Sequence, residues 1–268
     1  MRITFWGTRG SIPAPLNAAA FRKKVRSLLL NAGKADLNDE RTVDAYLDSV
    51  PLPGAMTFGG DTSCVEIVSG NDRLTLDCGS GLRGLGCRML AEEVVRNRRI
   101  DILLSHTHWD HIMGFPFFGP ALYGGYEVHM HGVHPDLRER FGTLMDRVHF
   151  PLTLEEMRSE IFFHQLAGKD TFSLGPFSIE NIGLSHPGGS WAYRVSTNGK
   201  NVVFATDGEY PDRTAGGLAP FIEFYRGADL LIFDAMYSTL EQTIAKADYG
   251  HSTAVIGVDI ALRAGVKT

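Results

Sequence analysis

An α/β fold is predicted by three features of this sequence. Short β-like runs recur along the chain, punctuated by 30 glycines. Apolar residues repeat at helical spacing over about 81–97 and 252–264. Between the strand-like runs 191–197 and 200–206 stands Asn198-Gly199, the strongest two-residue hairpin signal. With 268 residues, 44% hydrophobic and 21% charged, the chain has the balance of a globular protein with ample core, read as one domain over 1–268.

The elements follow in order. Met1-Arg2-Ile3-Thr4-Phe5-Trp6 reads as a first strand and carries no secretory pattern. Two helical stretches lie between Pro15 and Thr57, one marked by Phe21, Val25, Leu28 and Leu29, the other by Val43, Tyr46, Leu47 and Val50. A loop around Gly33 joins them, so about 17–55 reads as an inserted helical hairpin. Covering the core is its simplest role; a homodimer surface or a lid over a site are the alternatives.

Residues 64–68 and 73–77 are strands around the turn Gly70-Asn71-Asp72. Leu82, Leu85, Met89, Leu90 and Val94 then mark an amphipathic helix, and a strand follows over 100–105. The strand 176–185 ends at Ser185-His186-Pro187-Gly188-Gly189. Counting outward from Asn198-Gly199 pairs Trp191 with about Thr206, which puts His186 and Asp207 near one end of one sheet. After a strand at 228–233, the last helix is capped by Ser252 or Thr253, presents Val255, Val258 and Leu262 on one face, and stops at Gly265.

Composition excludes some function classes. A net charge of -5 argues against a general polyanion binder but not against a small phosphorylated substrate held by metal ions. No run of about 18 apolar residues exists, so no membrane span is expected. Cys64, Cys78 and Cys87 form no metal-type pair. A cross-strand disulfide between Cys64 and Cys78 is conceivable, but free thiols in a reducing cytoplasm are the expectation.

The chemistry is concentrated at His106-Thr107-His108-Trp109-Asp110-His111, directly after an apolar strand. Imidazoles and a carboxylate crowded so closely need a counter-charge, and a metal supplies one. In extended chain, residues two apart point the same way, so His106 and His108 can serve one ion. Asp110 and His111 can face a second ion nearby. Imidazole nitrogen with carboxylate oxygen is the donor set of zinc and related divalent metals. Asp207 and His186 suit the bridging carboxylate and the third imidazole of the first ion.

Other residues carry weaker signals. Asp77 and Asp234 end their strands and can orient a ligand from behind, though a buried hydrogen-bonded carboxylate without a role reads equally well. Gly79-Ser80-Gly81 either offers backbone N–H groups to a phosphate or is a plain tight turn. His129 and His131 share one strand face, read as solvated in preference to a third metal site. His134, His149 and His164 have no ligand-like company and default to surface or helix-end roles.

Taken together, H-T-H-W-D-H, His186 in L-S-H-P-G-G, Asp207 in F-A-T-D-G, and Gly250-His251-Ser252-Thr253 resemble the metallo-β-lactamase superfamily of metallohydrolases. The likeness is greatest to its phosphodiesterase branch, which contains tRNA 3′-processing endonucleases and cyclic-phosphodiester hydrolases. Phe5-Trp6-Gly7-Thr8-Arg9-Gly10-Ser11-Ile12-Pro13, Phe58-Gly59-Gly60-Asp61-Thr62-Ser63-Cys64, Leu76-Asp77-Cys78-Gly79-Ser80-Gly81 and Leu231-Ile232-Phe233-Asp234-Ala235 extend the resemblance nearly from end to end.

The resemblance implies an αββα sandwich of two mixed sheets, helices outside, with a dinuclear site at one edge. It assigns His106, His108 and His186 to the first ion, Asp110 and His111 to the second, and Asp207 to the bridge. His251 matches a histidine beside the scissile phosphate. The subgroup usually adds a last metal-binding histidine after the helix that opens at Gly250-His251-Ser252-Thr253. This sequence ends at Thr268, where that strand would start; either it is a truncated form, or the second ion is short of a ligand and partly occupied, or another group supplies the ligand.

The function expected is that of a cytoplasmic metal-dependent phosphodiesterase acting on a small or cyclic phosphodiester. A metal-bound hydroxide oriented by Asp110 would attack phosphorus, and His251 would assist the leaving oxygen. Zinc is the expected ion, with manganese or iron as alternatives. An RNA 3′-processing endonuclease, a thioesterase or lactonase, and a non-catalytic ligand-binding protein are the rival readings.

Overall fold

The computed structural model describes residues 1–268 apart from 34, 52–53, 58, 93–97 and 241–248. Strands β1 (Arg2–Gly7), β2 (Cys64–Ser69), β3 (Asp72–Leu76), β4 (Arg99–Leu103), β5 (Glu127–Gly132) and β6 (Glu160–Gln165) form one sheet in that order. Its first two pairings are antiparallel and the rest parallel. The second sheet runs β11 (Leu230–Phe233), β10 (Lys200–Ala205), β9 (Ser190–Thr197), β8 (Phe177–Leu184), β7 (Thr171–Leu174). Only its β10–β11 pairing is parallel. Both sheets are therefore mixed.

Three apolar layers hold four layers of structure together. Between the sheets, Ile67, Leu74, Leu103, Ile179, Val195 and Phe204 are buried. Behind the first sheet, Ile100, Ile102, Val128 and Met130 meet Leu82, Leu85 and Met89 of α3 (Leu82–Ala91), Ala121 of α5 (Gly119–Tyr123) and Phe141 of α6 (Leu137–Leu144). Behind the second, Val203 and Ala205 meet Leu218 and Tyr225 of α7 (Ala215–Tyr225) and Ile260 of α8 (Ala254–Ala264). Strand β10 alternates Val202 and Phe204 toward one layer with Val203 and Ala205 toward the other, so a strand covered on both faces reads as a continuous apolar run. Each large side chain buried in this way contributes about 1.5–3 kcal/mol. This is the αββα sandwich.

The Asn198-Gly199 hairpin has the register counted from the sequence, with Lys200 opposite Thr197 and Phe204 opposite Tyr193. Asn198 and Gly199 both take positive φ, +50° and +69°, as the turn requires. The helix at 81–97 is shorter than expected. Its cap Glu92 is already extended, and 93–97, with Val94, lie outside the described residues.

Two expectations fail on packing. Helix α8 starts from its Thr253 cap and stops at left-handed Gly265, but it buries Gly257, Ile260 and Ala264. Val255, Val258 and Leu262 are 66%, 58% and 77% exposed. A Cβ at position 257 would stand 2.5 Å from the Phe233 ring, so the helix meets β11 closely at Gly257, buries Ile260 beside it and turns Val255, Val258 and Leu262 outward.

The hairpin of α1 (Ala18–Asn31) and α2 (Glu40–Ser49) forms as expected. It is started by Asn17 and by an Asp39–Thr42 capping box, and the Tyr46 hydroxyl ties it by donating to Leu28 O. Neither helix buries a residue, so it does not cover the core. Among the described residues no helix is long and apolar enough to cross a membrane.

Candidate metal centre

Strand ends carry the site. Asp77 follows β3, Ser105 and His106 follow β4, His186 follows β8, Asp207 follows β10 and Asp234 follows β11. The short helix α4 (Trp109–Ile112) lifts Asp110 and His111 back toward this edge. Two cross-sheet bonds close the sandwich beneath them, Tyr193 Oη to Leu104 O at 2.7 Å and Trp191 N to Ser105 O at 3.1 Å.

One carboxylate oxygen sits at the centre. Asp207 Oδ2 lies 3.5 Å from His106 Nε2, 3.3 Å from His111 Nε2 and 3.8 Å from His186 Nε2. His108 Nδ1 and His186 Nε2 are 2.9 Å apart. Ligand atoms from His106, His108, His186 and Asp207 all lie within 4.8 Å of one another, and so do those from Asp110, His111 and Asp207. The structure thus brings together all six residues singled out as ligands, in the two groups expected.

The far side of each ring decides which nitrogen faces inward. His111 Nδ1 donates to Asp77 at 2.6 Å, and His186 Nδ1 donates to Gly250 O at 2.7 Å. Both rings therefore aim Nε2 at Asp207. Asp110 Oδ2 accepts from Ser11 N at 2.7 Å. Ser11 is held at φ +71°, in a loop whose motif carries a family likeness but no role legible from the sequence.

Burial, with the neighbouring imidazoles, pushes His106 well below its ordinary pKa and lowers His108 and His186 as well, which keeps these rings neutral. For His111 burial acts the same way, but the carboxylates of Asp207 and Asp77 outweigh it and raise the pKa. Asp207 would be raised by burial; the imidazoles, His111 above all, hold it well below the usual carboxylate range.

A metal ion fits these residues. His106 is 1% exposed and its Nε2 has no hydrogen-bond partner among the described residues. An unmade buried bond costs about 1–3 kcal/mol, and a cation beside Asp207 removes that cost. The neutral imidazoles of His106, His108 and His186 and the ionised carboxylate of Asp207 are the donor forms that a zinc-like ion takes.

His251 stands on the rim. Its Nδ1 donates to Asp234 Oδ2 at 2.9 Å, and its ring centroid is 5.1 Å from that of His186. A ring nitrogen of His251 and carboxylate oxygens of Asp234 and Asp207 also lie within 4.8 Å of one another. Asp234 additionally accepts from the backbone of Gly208, Met236 and Ser252. Its lone pairs are engaged by these donors, which makes Asp234 an orienting acceptor for His251 in preference to a ligand. Beside this pair opens a cavity of about 360 Å³, lined by Thr8, Arg9, Met236, Asp207 and His251 among others.

Ser80 is not a phosphate cradle. Its N–H goes to Thr62 Oγ1, and those of Gly79 and Gly81 go to Ser63 O and Thr62 O, so the loop is a tight turn with its donors engaged. The solvated face expected at His129 and His131 is also corrected. They are 7% and 4% exposed, and with His164 they form a stack of near-parallel rings beside Asp101. They are absent from the groups of converging ligand atoms among the described residues. Sequence reasoning missed His134 as well, since nothing near it in the chain shows that it reaches Gly188 and Gly189.

Residues 72–268 match the family described as the beta-lactamase superfamily domain. The metallo-beta-lactamase fold protein YhfI from Bacillus subtilis is 25% identical, with a TM-score of 0.57 over 78% of this chain and 76% of its own. The human short form of tRNase Z is 18% identical, with a TM-score of 0.62 over 100% of this chain and 90% of its own. A diphosphatase from the PhnP family is 19% identical, with a TM-score of 0.52 over 77% and 70%. The last two likenesses are of fold alone. No curated protein sequence matches the chain.

Proposed function

The chain belongs to the beta-lactamase superfamily, whose members are typically hydrolytic metalloenzymes, and on that premise we propose a cytoplasmic phosphodiesterase acting on a small or cyclic phosphodiester. His106, His108 and His186 hold one divalent ion, zinc first among candidates. Asp110 and His111 hold a second, and Asp207 stands between. When bound, such ions lower the pKa of water and neutralise charge on the phosphoryl oxygens.

The observation that carries the reading is the His251–Asp234 pair at 2.9 Å. Hydrolysis of an alkyl ester or phosphoester needs a proton for the departing alkoxide, and ligands do not supply one. Burial lowers the pKa of His251, but the bond to Asp234 and the charge of Asp207 outweigh it and raise the pKa overall. His251 is therefore held as a proton donor beside the cluster. Asp110, pinned by Ser11 N, orients the attacking water.

The test is turnover by zinc- or manganese-loaded protein on cyclic nucleotides, an aryl phosphodiester, a thioester, a lactone and a tRNA precursor. Hydrolysis of the phosphodiesters above the other classes is expected. Preference for thioester, lactone or tRNA precursor would overturn the assignment.

A further inference from the structure

The turn that carries His186 is held from the opposite sheet. His134 follows β5 in the first sheet, is 7% exposed, and places Nε2 3.2 Å from Gly188 O and 3.1 Å from Gly189 O. Carbonyl oxygens only accept, so Nε2 carries the proton and shares it between them. Its Nδ1 is then the bare nitrogen, and it has no hydrogen-bond partner among the described residues. A buried imidazole left half-paired is costly, and one well-placed donor is what it provides here.

Gly188 and Gly189 take φ +82° and +84°, and Gly189 N closes the turn on His186 O at 2.9 Å. Two successive left-handed glycines leave a backbone with wide conformational freedom. The shape of this turn must therefore be fixed by outside contacts. Gly250 O fixes the ring of His186, and His134 fixes the backbone behind it.

We infer that His134 is a positioning residue for the metal centre. Its N–H holds the Gly188-Gly189 turn, which sets His186 against His106 and His108 and so sets the affinity of the first ion. This rests on the metal reading proposed above. An apolar side chain of similar size would fill the same space and release the turn.

Zinc affinity is measured by chelator competition, and ligand geometry by the absorption spectrum of the cobalt(II)-loaded protein. His134→Leu should lower zinc affinity roughly 10–100-fold and change the cobalt spectrum. His134→Gln, whose amide nitrogen reaches the Nε2 position, should restore most of both. A folded Leu variant with unchanged affinity and spectrum overturns the inference, as does a Gln variant no better than Leu.

Should the Leu variant not fold, the unmutated protein decides through its imidazole ¹⁵N spectrum. His134 should be an Nε2–H tautomer with a slowly exchanging proton, and an Nδ1–H tautomer overturns the inference. An unmutated protein that binds neither zinc nor cobalt overturns the metal reading itself, and this inference with it.

Discussion

Nδ1 of His111 donates a 2.6 Å hydrogen bond to Oδ2 of Asp77, a residue held in left-handed backbone at φ +57°. The same carboxylate accepts from Ser105 N, Ser105 Oγ and Ser63 Oγ at 2.8, 2.9 and 3.1 Å. One fully buried carboxylate thus fixes both the His111 ring and the start of the histidine loop.

Asp77→Asn tolerates left-handed backbone but loses the charge that steadies the His111 N–H. Zinc affinity should fall roughly 10–100-fold with the fold retained. Asp77→Ala leaves several buried donors unpaired and should destabilise the protein by about 3 kcal/mol or more. Metal titration and urea unfolding check both, and an unchanged unfolding midpoint for Asp77→Ala would contradict the structural account.

The histidine and aspartate cluster was legible because most of its residues are local. His106, His108, Asp110 and His111 fall within six positions, and the hairpin count carried His186 and Asp207 to the same sheet end. Contacts between distant elements left no such trace. His134 reaches Gly188 across the sandwich, and the donors of residues 79–81 are taken by Thr62 and Ser63 from the segment leading into β2. Helix α8 misled for a different reason. Periodicity weights large apolar residues, whereas close packing on Phe233 selects Gly257.

The stacked histidines predict a pH dependence. Burial, then the Arg99 charge, lowers the pKa of His129; burial, then the neighbouring histidines, lowers that of His164. Around them stand Arg99 and Asp101 of β4, Glu127 and His131 of β5, with His129 Nδ1 2.8 Å from His164 Nε2. A histidine lowered in the folded state binds fewer protons there than when unfolded. Its stabilisation is full above the ordinary value near 6.5 and is lost as pH falls below it. Metal-loaded protein should therefore have a lower urea midpoint at pH 5.5 than at 7.5. His164→Gln, which keeps a partner for His129 without titrating, should narrow that difference.

The inserted hairpin should be separable from the chemistry. Phe21 and Leu29 of α1 are 60% and 64% exposed, and the six candidate metal ligands all lie outside 17–55. Deleting about residues 17–55 is expected to leave metal binding intact while changing oligomeric state or substrate selectivity. Sedimentation and the substrate panel report on the two alternatives. A folded deletion protein without metal would contradict the separation.

His251 offers the sharpest separation between binding an ion and turning over a substrate. It contributes no atom to either group of converging metal-ligand residues centred on His106 or His111. Its Nδ1 is bonded to Asp234, which belongs to neither of those two groups of donors, so its removal should leave both groups in place. His251→Ala is expected to keep the metal content and the melting temperature but to lower kcat by roughly 10²–10⁴ on a cyclic nucleotide. The loss has a chemical signature. An alkoxide leaving group needs a proton as the P–O bond breaks, whereas nitrophenolate departs readily without one. The same variant should therefore lose far less on a nitrophenyl phosphodiester. Asp234→Asn should give a smaller version of this pattern, since the ring remains but its orienting charge is gone. Equal losses on both substrates would place His251 in substrate binding, and unchanged rates on both would remove it from the mechanism.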